Sequence, residues 1–256
     1  VRGDRVLGPG RPGRGRLAAR VVDATHHAGV AADSLYGDSA FCAPCHQFAA
    51  DGLALSGKLL QNTHSEWLLS EAARDGRSCQ DCHMPDGRHG TLGLRDRDFV
   101  RAALAFDVDW DAEGDGGRLR VRLGNRDAGH AVPTYATGAL FVKVFLSDEH
   151  DAVLDASLRT RAVQRRLSLD GQTELFDTRI PPDGAWSYED RWILPPEAHS
   201  LNVLVEVDPD HFYRRFFSAL DPPDAITGRL LQQARGAISE SPYILFARQV
   251  PLAPSD

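Results

Sequence analysis

The sequence predicts an α+β fold, in which a mostly irregular and helical N-terminal segment precedes an immunoglobulin-like antiparallel β-sandwich with C-terminal helices. Short helical patterns and turns fill the chain up to about residue 108. Beyond it, several short β-rich runs separated by turn residues are typical of a sandwich. Two helical patterns follow at 209–220 and 223–238, and we expect these helices to lie against the sandwich.

Length and composition limit the possible classes. The 256 residues suit one large or two modest domains. We divide them into an extended arm rich in arginine and glycine over 1–25, a segment over 26–108 and a sandwich with helical additions over 109–256. The net charge of −7 argues against nucleic acid as a partner. Without a run of 18 apolar residues, the sequence encodes no membrane span.

One helix is predicted within the N-terminal segment. Thr63, with Glu66 three residues later, has the pattern of a capping box, and apolar residues follow it. Gly76 is a typical residue after a helix end. We therefore expect a helix over 63–75.

The strands are predicted from alternation. Residues 118–123 alternate polar and apolar side chains, as a strand with one buried face does. Further β-rich runs lie at 139–147, 201–207 and 243–250, and the turn at 181–184 separates two parts of this region.

All four cysteines belong to two copies of the pattern C-x-x-C-H. The residues are Cys42, Cys45, His46, Cys79, Cys82 and His83. This pattern indicates covalent attachment of haem c, with two thiols bound to the porphyrin and the adjoining histidine bound to iron. The sequence thus predicts two haem c groups, with thioether bonds from the cysteines and His46 and His83 as proximal ligands.

Other interpretations of the cysteines fit less well. Paired zinc knuckles are separated by roughly 15–20 residues, whereas residues 46–78 separate Cys45 from Cys79. A redox dithiol is expected in a thioredoxin-like βαβ unit, which this sequence does not resemble. Disulfides closed within each C-x-x-C loop would be strained.

The second ligand of each iron decides what the haems can do. Met84 is the only methionine and adjoins His83, so it cannot reach the opposite face of that haem. Histidine is the main remaining donor, although lysine, tyrosine, a terminal amine or no ligand at all stay open. Five histidines are suitably placed: His26, His27, His64, His89 and His130. We expect three others to be surface residues: His150, His199 and His211.

Two of the five candidates have features of their own. His89 is six residues beyond His83 in a glycine-rich turn; it cannot easily bind that haem but could reach the first. His130 lies in a loop that leaves a strand, where small residues and Pro133 would present its side chain rigidly.

The residues 39–46, 66–68, 79–85 and 128–134 resemble a group of bacterial multihaem c-type cytochromes. In that group a haem-bearing segment precedes a β-sandwich with a Gly-His-x-x-Pro-Thr loop. The resemblance covers roughly residues 25–247 and implies electron transfer, usually with two histidines on each iron. It makes His27 and His130 the leading distal candidates, ahead of His89, His64 and His26.

The chain departs from the pattern of this group at two positions. Tyr135 follows Pro133 and Thr134, where glycine is usual, and Arg95 stands where a second histidine often occurs.

We therefore expect a dihaem electron-transfer subunit that acts as a carrier rather than an enzyme. The alternative is a haem enzyme that reduces a small nitrogen, sulfur or oxygen species at a five-coordinate iron, with His64 and Arg88 or Arg95 as donors. A third, compatible possibility is a subunit of a larger assembly. The expected partners are redox proteins, such as other multihaem cytochromes or a membrane respiratory or photosynthetic complex.

Covalent haem attachment in bacteria follows export, so we expect a periplasmic or extracellular location. Since Met84 is the only methionine, Val1 is not an initiator, and we expect an N-terminal segment to have been removed.

Overall fold

The computed structural model describes residues 6–9, 30–90 and 92–252. Its α-helices are short in the first half of the chain and longer near its end. They are α1 Ala43–His46, α2 Thr63–Leu68, α3 Glu71–Arg74, α4 Cys79–His83, α5 Arg97–Ala103, α6 His211–Ala219 and α7 Ala225–Ser239. Most of the predicted arm lies outside the described residues.

The strands occur in pairs and in two larger sheets. They are β1 Val6–Pro9, β2 Val30–Asp33, β3 Ala54–Leu55, β4 Lys58–Leu59, β5 Leu104–Glu113, β6 Gly116–Asn125, β7 Ala139–Ser147, β8 Arg159–Val163, β9 Arg165–Leu167, β10 Glu174–Asp177, β11 Ala185–Ile193, β12 Ser200–Asp208 and β13 Tyr243–Pro251. The predicted strands and C-terminal helices are confirmed to within a few residues. Strand β5 lies on both sides of the expected boundary between residues 108 and 109.

Two antiparallel sheets share one hydrophobic core. The first has the strand order β11-β6-β5 and the second the order β13-β12-β7-β8. In β6, Leu119, Val121 and Leu123 are buried while the arginines between them are exposed, as alternation predicts. Their side chains join those of Leu140 and Val142 from β7 in the same cluster. The structure is therefore α+β with antiparallel sheets.

The helix predicted over 63–75 is wrong as one element, because the chain breaks it at Ser70. Helix α2 ends at Leu68, and the Ser70 side chain then accepts a hydrogen bond from the Ala73 amide and begins α3. Asn62, not Thr63, is the residue before α2. Serine favours this capping position over a helix interior, because its hydroxyl competes for backbone amides.

A buried arginine fastens the N-terminal segment to the sheets. The Arg165 side chain is 1% exposed and forms an ion pair of 2.8 Å with Glu174. It also donates hydrogen bonds to the carbonyl oxygens of Leu59, Lys58 and Leu55, at 2.6, 3.0 and 3.3 Å. A buried guanidinium is stable only when its donors are paired, so the hairpin of β3 and β4 is held in one position.

Within the described residues, no helix is long and apolar enough to cross a membrane.

Candidate haem-binding site

The second C-x-x-C-H motif, in helix α4, lies against the segment that precedes the first motif. The Cys79 amide at the start of α4 donates a hydrogen bond of 3.0 Å to the hydroxyl of Ser39, a buried residue just before the first motif. The Gln80 side chain donates to the carbonyl oxygens of Tyr36 and Asp38, at 3.1 and 2.8 Å. The motifs therefore form one site, although they are far apart in the sequence.

The four cysteines have free thiols, of which Cys45 is exposed and the other three are partly buried. Burial, with a further contribution from Cys79, raises the pKa of Cys42 to about 11, and burial also raises the pKa of Cys82. In the described part of the chain, no cluster of three or more potential metal ligands is found.

The imidazole rings of His83 and His130 are neighbours with nearly parallel planes. Their ring centres are 6.1 Å apart, and their planes differ by 21°. Nδ1 of His83 lies 2.9 Å from the carbonyl oxygen of Leu92, which accepts a hydrogen bond from it when Nδ1 is protonated. This bond fixes the tautomer that leaves Nε2 as the metal-binding nitrogen.

His130 is oriented by its own loop. Its Nδ1 lies 2.9 Å from the hydroxyl of Thr134 and 3.1 Å from the carbonyl oxygen of Ala131. Burial lowers the pKa of His130 to about 4, and the positive charges of His83 and Arg179 act in the same direction. The ring is consequently neutral near pH 7, as iron coordination requires.

The backbone of this loop is held from three sides. The Ala131 amide donates a hydrogen bond of 2.9 Å to the carboxylate of Glu66. Arg179 donates to the carbonyl oxygen of Thr134 at 2.9 Å, and Asn125 donates to that of His130 at 2.8 Å. The capping box predicted for Glu66 is therefore wrong, because its carboxylate anchors the His130 loop instead of closing the start of α2.

Glycine is required next to His130. A Cβ atom at Gly129 would lie 2.9 Å from Cδ1 of Trp67, 3.0 Å from Cβ of Ala72 and 3.2 Å from the Ser70 hydroxyl. The loop thus packs so closely on α2 and α3 that a side chain at position 129 would not fit without displacing its neighbours.

His46 has a corresponding arrangement. Its ring centre lies 6.3 Å from that of His89, and the two planes differ by 43°. Nδ1 of His46 lies 2.7 Å from the hydroxyl of Tyr135. Burial lowers the pKa of His46, and the charges of His89 and His83 lower it further. The first proximal histidine therefore faces a second imidazole, as His83 does.

Both ring pairs fit haem iron. Two imidazoles that bind one metal from opposite sides, each through a bond of about 2 Å, have ring centres about 6 Å apart. The pairs His46 with His89 and His83 with His130 have this spacing. For three of the four rings, all but His89, Nδ1 has a hydrogen-bonding partner, which leaves Nε2 available to a metal.

The remaining histidine candidates have other surroundings. His64 contacts the ring of Trp67, with ring centres 5.5 Å apart. His26 and His27 lie outside the described residues, so their assignment stays a prediction. His150 and His199 are exposed, as expected.

His211 differs from the expected surface histidine. It is half-buried against Phe141, and its Nδ1 lies 3.4 Å from the carboxylate of Asp208. Its role here is structural, at the start of α6.

Sequence reasoning missed the groups that orient the ligands. The carbonyl of Leu92 cannot be found from residue type, since every residue has one. Tyr135 carried a signal, because it replaces a glycine expected from the resemblance. Glu66 and Arg179 form an ion pair of 3.5 Å. They are too far apart in the sequence for any local pattern to predict this contact.

Comparison with protein-family models finds no match, and comparison with curated protein sequences finds none either. Among solved structures, the penta-haem cytochrome c552 from Thermochromatium tepidum has a similar fold, with a TM-score of 0.65. It is 18% identical, and the alignment covers 97% of this chain and 68% of that one. At this identity the likeness shows the fold alone. A structural-genomics target, SoR45, aligns with 41% of this chain at a TM-score of only 0.23. A score this low does not indicate a shared fold.

Proposed function

We propose that this chain is a dihaem c-type cytochrome that relays electrons between redox partners. The observation that carries the proposal is the presence of two facing imidazole pairs, each containing the histidine of one C-x-x-C-H motif. Haem iron, when bound, supplies reversible one-electron chemistry whose potential the axial ligands set.

In this proposal the first motif and His89 form one site. Cys42 and Cys45 hold the porphyrin, and His46 and His89 bind its iron. The resemblance favoured His27 as the distal ligand, but the observed ring spacing supports His89 for this iron.

The second motif and His130 form the other site. Cys79 and Cys82 hold the porphyrin, while His83 and His130 bind the iron. Glu66 and Arg179 hold the loop of His130 in place, so that this ligand is fixed before iron is bound.

The closeness of the two sites supports a relay. The Cys79 amide donates a hydrogen bond to Ser39, three residues before Cys42, and the charge of His83 contributes to the lowered pKa of His46. Two imidazoles on each iron leave no coordination position for a substrate. The fold similarity to a penta-haem cytochrome is consistent with this function.

The enzyme alternative has less support. Arg95 forms an ion pair with Asp210, and Arg88 lies near Asp86 on the surface. Both arginines thus have carboxylate partners, and His64 contacts Trp67.

We further propose a domain arrangement, a cellular location and a class of partner. The two sheets with their common core form an immunoglobulin-like sandwich domain that begins with β5 rather than at residue 109, after a dihaem domain that starts near residue 26 and an arm over 1–25. The chain functions in the periplasm or outside the cell, with other multihaem cytochromes or a membrane respiratory or photosynthetic complex as partners.

A pyridine haemochrome assay on the protein, produced with a c-type haem maturation system, tests the proposal. We expect two covalent haems per chain and one in the double variant C79A/C82A. Reductive titration should then show two one-electron steps. Fewer than two covalent haems in the unaltered protein would contradict the proposal.

A further inference from the structure

We propose that Tyr135 is a positioning residue that orients His46 through a hydrogen bond to Nδ1. By accepting this bond, its phenol lowers the reduction potential of the iron bound to His46, but by less than a carbonyl acceptor would. The inference rests on the proposed function, because it concerns a residue that acts on an iron ligand. It assigns a role to a side chain that the haem motifs do not include.

The geometry is direct. The Tyr135 hydroxyl lies 2.7 Å from Nδ1 of His46. When Nε2 of His46 binds a metal, Nδ1 carries the proton and donates it in a hydrogen bond. The phenol oxygen of Tyr135 then accepts that bond and fixes the rotation of the ring about its metal bond.

The two proximal histidines therefore differ in their acceptors. His83 has the backbone carbonyl of Leu92 at 2.9 Å, whereas His46 has the phenol of Tyr135. A carbonyl oxygen carries more negative charge than a phenol oxygen and draws the Nδ1 proton more strongly. Stronger withdrawal makes the imidazole a better electron donor and stabilises oxidised iron. The phenol lowers the potential less than a carbonyl would.

The position of Tyr135 is well defined by its neighbour. The hydroxyl of Thr134 lies 2.9 Å from Nδ1 of His130, and the Thr134 carbonyl accepts a hydrogen bond of 2.9 Å from Arg179. The hydroxyls of the consecutive residues Thr134 and Tyr135 thus contact His130 and His46, which are ligands of different irons in this proposal. The same fixed loop orients His130 and reaches His46.

The variant Tyr135→Phe tests this role, since it removes the hydroxyl and keeps the ring. Tyr188→Phe is the matched control, because its hydroxyl bonds to Asp190 within the sheets. We expect both variants to carry two low-spin covalent haems. In Tyr135→Phe, one midpoint potential should rise and the EPR g values of one iron should change, while the control remains like the unaltered protein.

The results separate the two proposals. If Tyr135→Phe retains two low-spin haems with both midpoints and both EPR signals unchanged, the role of Tyr135 is overturned and the proposed function stands. If the unaltered protein binds fewer than two covalent haems, both are overturned.

A second measurement needs no variant. In the fully reduced, diamagnetic protein, NMR should show a slowly exchanging Nδ1 proton on His46 with a nuclear Overhauser effect to the ring protons of Tyr135. A His46 Nδ1 proton that exchanges freely with water, without that effect, would overturn the proposal even if Tyr135→Phe does not fold.

Discussion

The ring of His130 lies next to that of His83 with 6.1 Å between their centres, although one helix and two strands separate them in the chain. This spacing is that of two imidazoles on one metal. It connects the loop that follows β6 with the second C-x-x-C-H motif, and thereby the sheets with the proposed haem site.

Replacing His130 with alanine should remove one axial ligand and keep both covalent attachments. We expect one of the two irons to become high spin, with added imidazole restoring the low-spin spectrum. Optical and EPR spectroscopy measure this change. His150→Ala is the control, because His150 is exposed and distant from the motifs in sequence. Two unchanged low-spin signals in His130→Ala would exclude it as a ligand.

Replacing His89 with alanine should convert the other iron in the same way, because His89 faces His46. The double variant with His130→Ala should then have two high-spin irons. His64→Ala serves as the control, since its ring contacts Trp67. If His27→Ala, and not His89→Ala, gives the high-spin iron, the assignment of His89 is wrong.

Replacing Gly129 with alanine should displace the His130 loop from α2 and α3. The added Cβ would lie 2.9 Å from Trp67, and we expect a loss of about 1–3 kcal/mol in the free energy of unfolding, with a partial high-spin signal. Gly236→Ala is the control for an added Cβ without neighbours within 4 Å; because Gly236 lies inside α7, we expect that variant to be as stable as the unaltered protein or more stable by up to about 1 kcal/mol. Urea unfolding provides the comparison; a Gly129→Ala protein as stable as the unaltered one would argue against the close packing.

Replacing Arg165 with alanine should destabilise the attachment of the β3–β4 hairpin, because three carbonyl groups lose this donor and Glu174 keeps only Lys58 as a cationic partner. We expect a loss of about 3–5 kcal/mol in the free energy of unfolding, typical of breaking a buried ion pair. Arg191→Ala is the control, since its side chain is 73% exposed. If Arg165→Ala loses less free energy of unfolding than Arg191→Ala, the ion pair between Arg165 and Glu174 is not important for stability.

Local sequence patterns predicted the strands and the two C-terminal helices well, because alternation and helical spacing follow directly from burial. The motif histidines and cysteines were also evident, since their spacing reflects covalent chemistry. Of the proposed partners of those histidines, His130 was a leading candidate from the sequence. His89 ranked below His27, because the resemblance favoured a histidine upstream of the first motif. The contact of Glu66 with Ala131 could not be predicted, because its spacing from Thr63 also fits a local cap.

The spin state of each iron in the oxidised, unaltered protein tests the central claim most directly. EPR combined with near-infrared magnetic circular dichroism reports both spin state and ligand type. The proposed pairs predict two low-spin irons, each with two histidine ligands. A high-spin iron that binds cyanide or nitrite in the unaltered protein would contradict the two bis-histidine sites and favour catalysis at an open haem.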